Sequence, residues 1–190
     1  MSKIAFLLDQ MFEDSEFRVP YDRLRAAGHD VEIVGVKAGT EVEGYRNKEH
    51  VKIEKSATEV DEAEYDAVVI PGGYSPDHLR TSSDVVRFTR AIANTNRPVA
   101  AVCHAPSLLI EADLVEGRQV TSWPSIRTDL LNAGARWVDR QVVVDGNVIT
   151  SRNPGDLEAF CDAILRALEQ GVPGRTEPSA VRGEDAPPLH

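Results

Sequence analysis

The stretch PVAAVCHAPSLL, residues 98–109, decides how the rest of the chain is read. Val99 to Val102 is an unbroken run of small and β-branched residues, the pattern of a strand covered on both faces. Pro106 to Leu109 then reads as the opening of a helix, because proline is tolerated in a first helical turn. Cys103 stands at the handover, with His104 beside it. A strand that gives way to a helix at one residue thrusts that side chain outward, the geometry of a nucleophile elbow.

The same pattern recurs on either side. Lys3–Leu8 is a continuous apolar run, VEIVGV (31–36) is a second, and EYDAVVIPGG (64–73) is a third that breaks at Gly72-Gly73. Between the first two, RVPYDRLRAAGHD (18–30) predicts a helix with Val19, Leu24 and Ala27 on one face and Gly28 as its stop. TSSDVVRFTRAIANTN (81–96) opens on a Ser/Asp start signal and carries Val85, Val86, Phe88, Thr89 and Ile92 at helical spacing. TSWPSIRTDLLNAGA (121–135) and NPGDLEAFCDAILRALEQG (153–171) give two more helices. Asp145-Gly146 predicts an edge hairpin near 142–150. Residues 37–50 read as a loop or short hairpin. Strands alternating with helices define an α/β fold, a flavodoxin-like three-layer sandwich whose sheet is mostly parallel with helices on both faces. Residues 1–170 are expected to form this domain, and 171–190, rich in Pro, Gly and charge, a tail.

Composition narrows the function classes. The 190 residues are 42% hydrophobic and 27% charged, an ordinary balance for a globular chain. A net charge of −10 argues against nucleic acid or anionic lipid as the main partner, since phosphates are repelled. No apolar run reaches the roughly 20 residues of a membrane span, and Met1 leads into a strand without a signal-peptide pattern, so a cytoplasmic location is expected. Cys103 and Cys161 do not form a disulfide framework, and the five scattered histidines lack metal-site spacing. No cofactor is called for: the region after the first strand holds acids where a phosphate-binding loop would lie.

In open parallel sheets ligands sit beyond the carboxyl ends of the strands, and Cys103 is there. Helix-start amides favour a thiolate and can stabilise an oxyanion, which predicts a lowered thiol pKa. The alternative is a small buried apolar cysteine, the reading given to Cys161 within its amphipathic helix. Gly72 and Gly73 share that sheet edge and let backbone approach a ligand. Glu13 and Glu16 leave the first strand at the same edge. They are either solvated acids of a helix start or, for one of them, a buried protonated carboxyl donating to sulfur. His104 is less secure from spacing, because consecutive elbow residues usually diverge.

FEDSEFRVPYDRLRAAGHDVEI, YDAVVIPGGYSPDHLR, PVAAVCHAPSLLIEADLVEGR, TSWPSIRTDLLNAGARWVD and VVVDGNVITSRNPGDL resemble, in order, the ThiJ/PfpI superfamily, closest to its PfpI-type intracellular-protease-like branch, over about residues 3–168. The resemblance implies a reactive Cys103, a sulfur-contacting Glu16, a second acid at Glu13, a catalytic His104 and a homodimer or larger homo-oligomer. It also implies that Asp77 of a neighbouring subunit completes the site, although Asp is shorter than the family's Glu. Ala105 replaces the usual glycine and is expected to narrow the space beside the sulfur, and Trp123 takes the position that walls the pocket. The activity implied is that of a cysteine-dependent hydrolase acting on a small carbonyl compound or a peptide substrate, as a stress-response protease-like enzyme or a deglycase/glyoxalase. The competing reading is a redox sensor or chaperone that uses oxidation of Cys103. A glutamine amidotransferase would need a late catalytic histidine, and only His190 follows His104.

Overall fold

A computed structural model of the chain describes residues 1–173. In chain order its elements are β1 (Lys3–Leu7), α1 (Asp14–Ala26), β2 (Asp30–Gly35), β3 (Glu41–Glu43), β4 (His50–Lys52), β5 (Lys55–Ser56), β6 (Ala67–Ile70), α2 (Ser75–Leu79), α3 (Ser83–Asn94) and β7 (Val99–Val102). There follow α4 (Pro106–Glu111), β8 (Gln119–Val120), α5 (Arg127–Asn132), β9 (Arg136–Trp137), β10 (Val142–Asp145), β11 (Val148–Ser151) and α6 (Leu157–Gln170). Seven strands form one sheet in the order β10-β11-β7-β6-β1-β2-β5. Every pairing in it is parallel except β10–β11, the edge hairpin at Asp145-Gly146.

Pleating explains why the central strands carry no polar alternation. Ala5 and Leu7 of β1 and Val99 and Ala101 of β7 enter one core with Val85, Phe88 and Ile92 of α3 and Leu108 and Leu109 of α4. Ile4 and Phe6, with Ala100 and Val102, face the opposite side and pack on Phe17 and Leu24 of α1 and Phe160 and Ile164 of α6. Both faces are covered, so both sets of side chains must be apolar. This is the three-layer α/β sandwich the periodicity predicts.

Some local expectations are corrected. Helix α1 begins at Asp14 rather than near Arg18, because Glu13 caps it and accepts from the N–H groups of Ser15 and Glu16. Ala27 is exposed as the helix's C-terminal cap instead of sharing the buried face with Leu24. SPDHL, which lacks an amphipathic repeat, forms the five-residue α2. The short hairpin expected as one reading of residues 37–50 is present as a separate two-stranded sheet, β3–β4, which runs on to Lys52. The tail expected over 171–190 lies outside the described residues beyond Pro173.

Candidate active site

The elbow is built by a change of hand in the backbone. β7 runs in parallel register with β11, and the Cys103 N–H makes the last ladder bond, to Ser151 O at 3.0 Å. Cys103 itself then adopts φ +63°, a left-handed conformation that costs a non-glycine residue about 1–3 kcal/mol. The Ala105 N–H donates back to Val102 O at 3.0 Å, closing the turn before α4. This reversal brings neighbouring side chains together instead of splaying them: His104 Nδ1 lies 3.3 Å from Cys103 Sγ. On its far side His104 Nε2 meets Ser125 Oγ at 3.0 Å. Burial lowers the pKa of His104, so the ring is a neutral imidazole, able to accept a proton, at pH 7.

Glu16 supplies the other contact. It is fully buried, and its Oε2 accepts from the Gly72 N–H at 2.8 Å. Glutamate three residues after a helix cap often reaches back to the cap's own amide. Here the Glu13 N–H is bonded to Gly72 O at 3.2 Å, and Glu16 turns toward the sheet edge. Its Oε1 is buried without a hydrogen-bond partner among the described residues, an arrangement that favours a protonated carboxyl. Burial, reinforced by Glu13, pushes the Glu16 pKa up to about 8.

The thiol does not follow the simple helix-start expectation. Helix α4 is only six residues long, and Cys103 is 7% exposed, so burial, with a further contribution from any charge on Glu16, pushes the thiol pKa up. The N–H groups of Gly73 and His104, aimed at the sulfur, oppose that rise. Glu16 holds its proton up to about pH 8 and couples directly to the thiol, so acid and thiol share protons as a pair. The thiolate is favoured when the carboxyl donates to it. Cys161, by contrast, is fully buried in the α6 core, where burial lifts its thiol to about 11 and no acid–imidazole pair attends it.

The two glycines have different tasks. Gly73 (φ +72°) lines the cavity and turns its amide to the sulfur, whereas the Gly72 amide is committed to Glu16. A Cβ at Gly72 would stand 2.5 Å from Glu16 Oε2, 2.7 Å from Cys103 Cβ and 2.9 Å from Val102 O. Gly72→Ala is therefore expected to cost about 1–3 kcal/mol of stability. It should also separate Glu16 from the sulfur. An unchanged thermal midpoint in that variant would show that the contact is not tight.

A third wall comes from the β3–β4 hairpin. Asp14, 5% exposed, accepts from the backbone N–H groups of Arg46 (3.0 Å), Lys48 and Glu49 (2.9 Å each). Burial opposes ionisation there, but these N–H bonds win and hold the Asp14 carboxyl below the usual carboxylate range. The clamped loop presents Tyr45 and Arg46 beside Tyr74, with the two tyrosine rings edge to face at 6.5 Å. Glu13 is tied by Ser15, by the Glu16 N–H at 3.0 Å and by Arg46 Nε at 3.4 Å.

Glu13, Glu16, Gly73, Cys103, His104 and Trp123 thus surround one cavity of about 250 Å³, joined by Tyr45, Arg46, Tyr74 and Pro154. The Trp123 backbone N–H donates to Cys103 O at 2.9 Å, and the indole ring tilts against His104 at 6.3 Å. Ala105 does not narrow this space: it is fully buried in the opposite core with Leu108 and Leu109. Asp77 is exposed on α2, in a groove with Asp9 and His78, and does not line the Cys103 cavity of its own chain. Sequence reasoning missed Ser125, Tyr45, Arg46, Tyr74 and Pro154. Only Tyr74, directly after Gly72-Gly73, carried a local signal.

A buried acid, an elbow cysteine and an imidazole at the carboxyl edge of a doubly wound sheet define a cysteine-centred α/β site. The sequence pattern of the DJ-1/PfpI family matches residues 2–167, and the chain belongs to that family. It is 48% identical to "Protein/nucleic acid deglycase 2" of Escherichia coli, over 87% of this chain and 97% of that one. It is 46% identical to "Putative cysteine protease YraA" of Bacillus subtilis, over 88% and 98%. A two-domain protein from Anabaena variabilis, with DJ-1/ThiJ/PfpI-like and ferritin-like domains, superposes with a TM-score of 0.88 at 42% identity. That match covers 95% of this chain and 52%, about half, of that protein.

Proposed function

We propose that this chain is a cysteine-dependent enzyme that converts α-oxoaldehydes such as methylglyoxal, or their adducts with amines and thiols, to 2-hydroxy acids. The observation that carries the reading is Cys103 Sγ held 3.3 Å from a neutral His104 and coupled to a Glu16 that keeps its proton up to about pH 8. In this reading Cys103 Sγ adds to the aldehyde carbon. A C–S bond forms, the carbonyl π bond breaks, and the oxygen, held by the Gly73 and His104 N–H groups, takes up the thiol proton. In an adduct the amine or thiol first leaves from that carbon, protonated, and restores the carbonyl. His104 removes the hydrogen on that carbon as a proton and returns a proton to the adjacent carbonyl carbon through an enediol. The aldehyde carbon is oxidised and its neighbour reduced within one molecule, so the electrons balance internally. Water then cleaves the thioester, releasing the 2-hydroxy acid and restoring the thiol.

A cavity of about 250 Å³ suits a substrate of a few heavy atoms and is narrow for a folded polypeptide. The relative named a deglycase supports the carbonyl reading; the relative named a cysteine protease supports cysteine chemistry of the same kind. We further propose a cytoplasmic enzyme whose working unit is residues 1–170, assembled as a homodimer or larger homo-oligomer. In that assembly Asp77 of a second copy approaches His104. No helix among the described residues is long and apolar enough to cross a membrane.

The test is product analysis. Incubated with methylglyoxal in deuterated water, the protein is expected to yield lactate carrying deuterium at its second carbon, while leaving denatured casein intact. Casein fragments without lactate would overturn the substrate assignment.

A further inference from the structure

Among the described residues, Arg46 is the only permanently cationic side chain lining the cavity, and no step of the proposed reaction uses it. Its backbone is fixed by the Asp14 clamp, and its guanidinium lies over the Tyr45 ring at 5.3 Å. Only Nε is engaged, with Glu13 Oε1 at 3.4 Å. The side chain is about half exposed, and the terminal nitrogens Nη1 and Nη2 have no hydrogen-bond partner among the described residues. The other oxygen of Glu13 is occupied by the Ser15 N–H, the Ser15 hydroxyl and the Glu16 N–H, which offset much of its charge. A planar fork of N–H donors is therefore held at the rim of a cavity whose floor is the nucleophile. Such a fork matches a carboxylate bidentately.

We propose that Arg46 determines specificity, selecting α-oxoaldehydes whose far end bears a carboxylate over neutral ones; this rests on the reaction proposed above. A carboxylate is favoured over a phosphate because Glu13 lies beside the guanidinium and the chain carries a net charge of −10. A dianion meets roughly twice the repulsion of a monoanion in that field.

Binding can be measured apart from turnover with 4-oxopentanoate, a carboxylate that has no aldehyde, and its neutral counterpart 2-pentanone. The full chain is expected to bind 4-oxopentanoate about tenfold more tightly than 2-pentanone. Arg46→Gln, which keeps the backbone N–H that Asp14 holds, should erase that preference, and Arg46→Lys should restore part of it. In turnover, the ratio of kcat/KM for 4,5-dioxopentanoate over methylglyoxal should fall about tenfold in Arg46→Gln, mainly through KM. Equal binding of the two ketones by the unaltered chain, or a preference that survives in Arg46→Gln, would overturn the assignment. If neither oxoaldehyde is consumed while the carboxylate preference persists and depends on Arg46, the proposed reaction fails and the role of Arg46 stands.

Discussion

Replacing Cys103 with alanine is expected to reduce methylglyoxal consumption by on the order of 10³-fold or more, because no other group at the site can form the C–S bond. Cys161→Ala is the matched control. That thiol is fully buried among α6 core residues, so its loss should cost about 1–3 kcal/mol of stability and leave turnover per folded molecule unchanged. The pair of variants separates chemistry from folding. Full dicarbonyl consumption by Cys103→Ala would overturn the nucleophile and turn the reading toward oxidation sensing. Alanine at 103 also keeps the left-handed turn, so a lost activity cannot be blamed on an unfolded elbow if the thermal midpoint stays within a few degrees.

The second large effect belongs to Glu16 and is a matter of pH. Its folded pKa of about 8 lies above its ordinary 4.5, so the native state holds a proton that the unfolded chain releases between those values. The stabilisation is fully present below about pH 4.5 and is lost as pH rises through about 8, a change on the order of a few kcal/mol. Glu16→Gln, neutral at every pH and still able to accept from the Gly72 N–H, should flatten that loss. Activity should respond in the same sense: above pH 8 an ionised Glu16 repels the thiolate, so kcat/KM falls in the parent and does not fall in the Gln variant at that pH. Glu16→Asp withdraws the carboxyl by one methylene and is expected to lower turnover about 10²-fold. Thermal midpoints with the same pH dependence in parent and Gln variant would show that folding does not raise the Glu16 pKa.

How much of this was legible in the sequence depends on whether a residue's neighbours are local. The β7 run and its break at Cys103 are local, and both faces of the sheet follow from unalternated apolar strands. The position of Glu16 at the start of α1 is also local. Its direction is not, since the same residue type at that point usually bonds back to its own cap. The closeness of His104 to the sulfur is not local in the same sense, because it depends on φ +63° at Cys103, which spacing does not reveal. Ala105 was misplaced for a related reason: the turn that delivers His104 to the sulfur sends the next methyl into the other core. Tyr45 and Arg46 reach the site through the Asp14 clamp and the Tyr45 N–H bond to Phe12 O, contacts spanning over thirty residues that no periodicity encodes.

The start of α1 has a consequence for any attempt to redesign this pocket. Within four consecutive positions Glu13 caps the helix, Asp14 anchors a distant hairpin and Glu16 meets Cys103. Inserting or deleting one residue there rotates the later side chains by about 100° around the helix axis, detuning the rim and the floor together. Altered selectivity is better sought at Tyr74 and Trp123, whose side chains can be exchanged without disturbing that shared hinge of three functions.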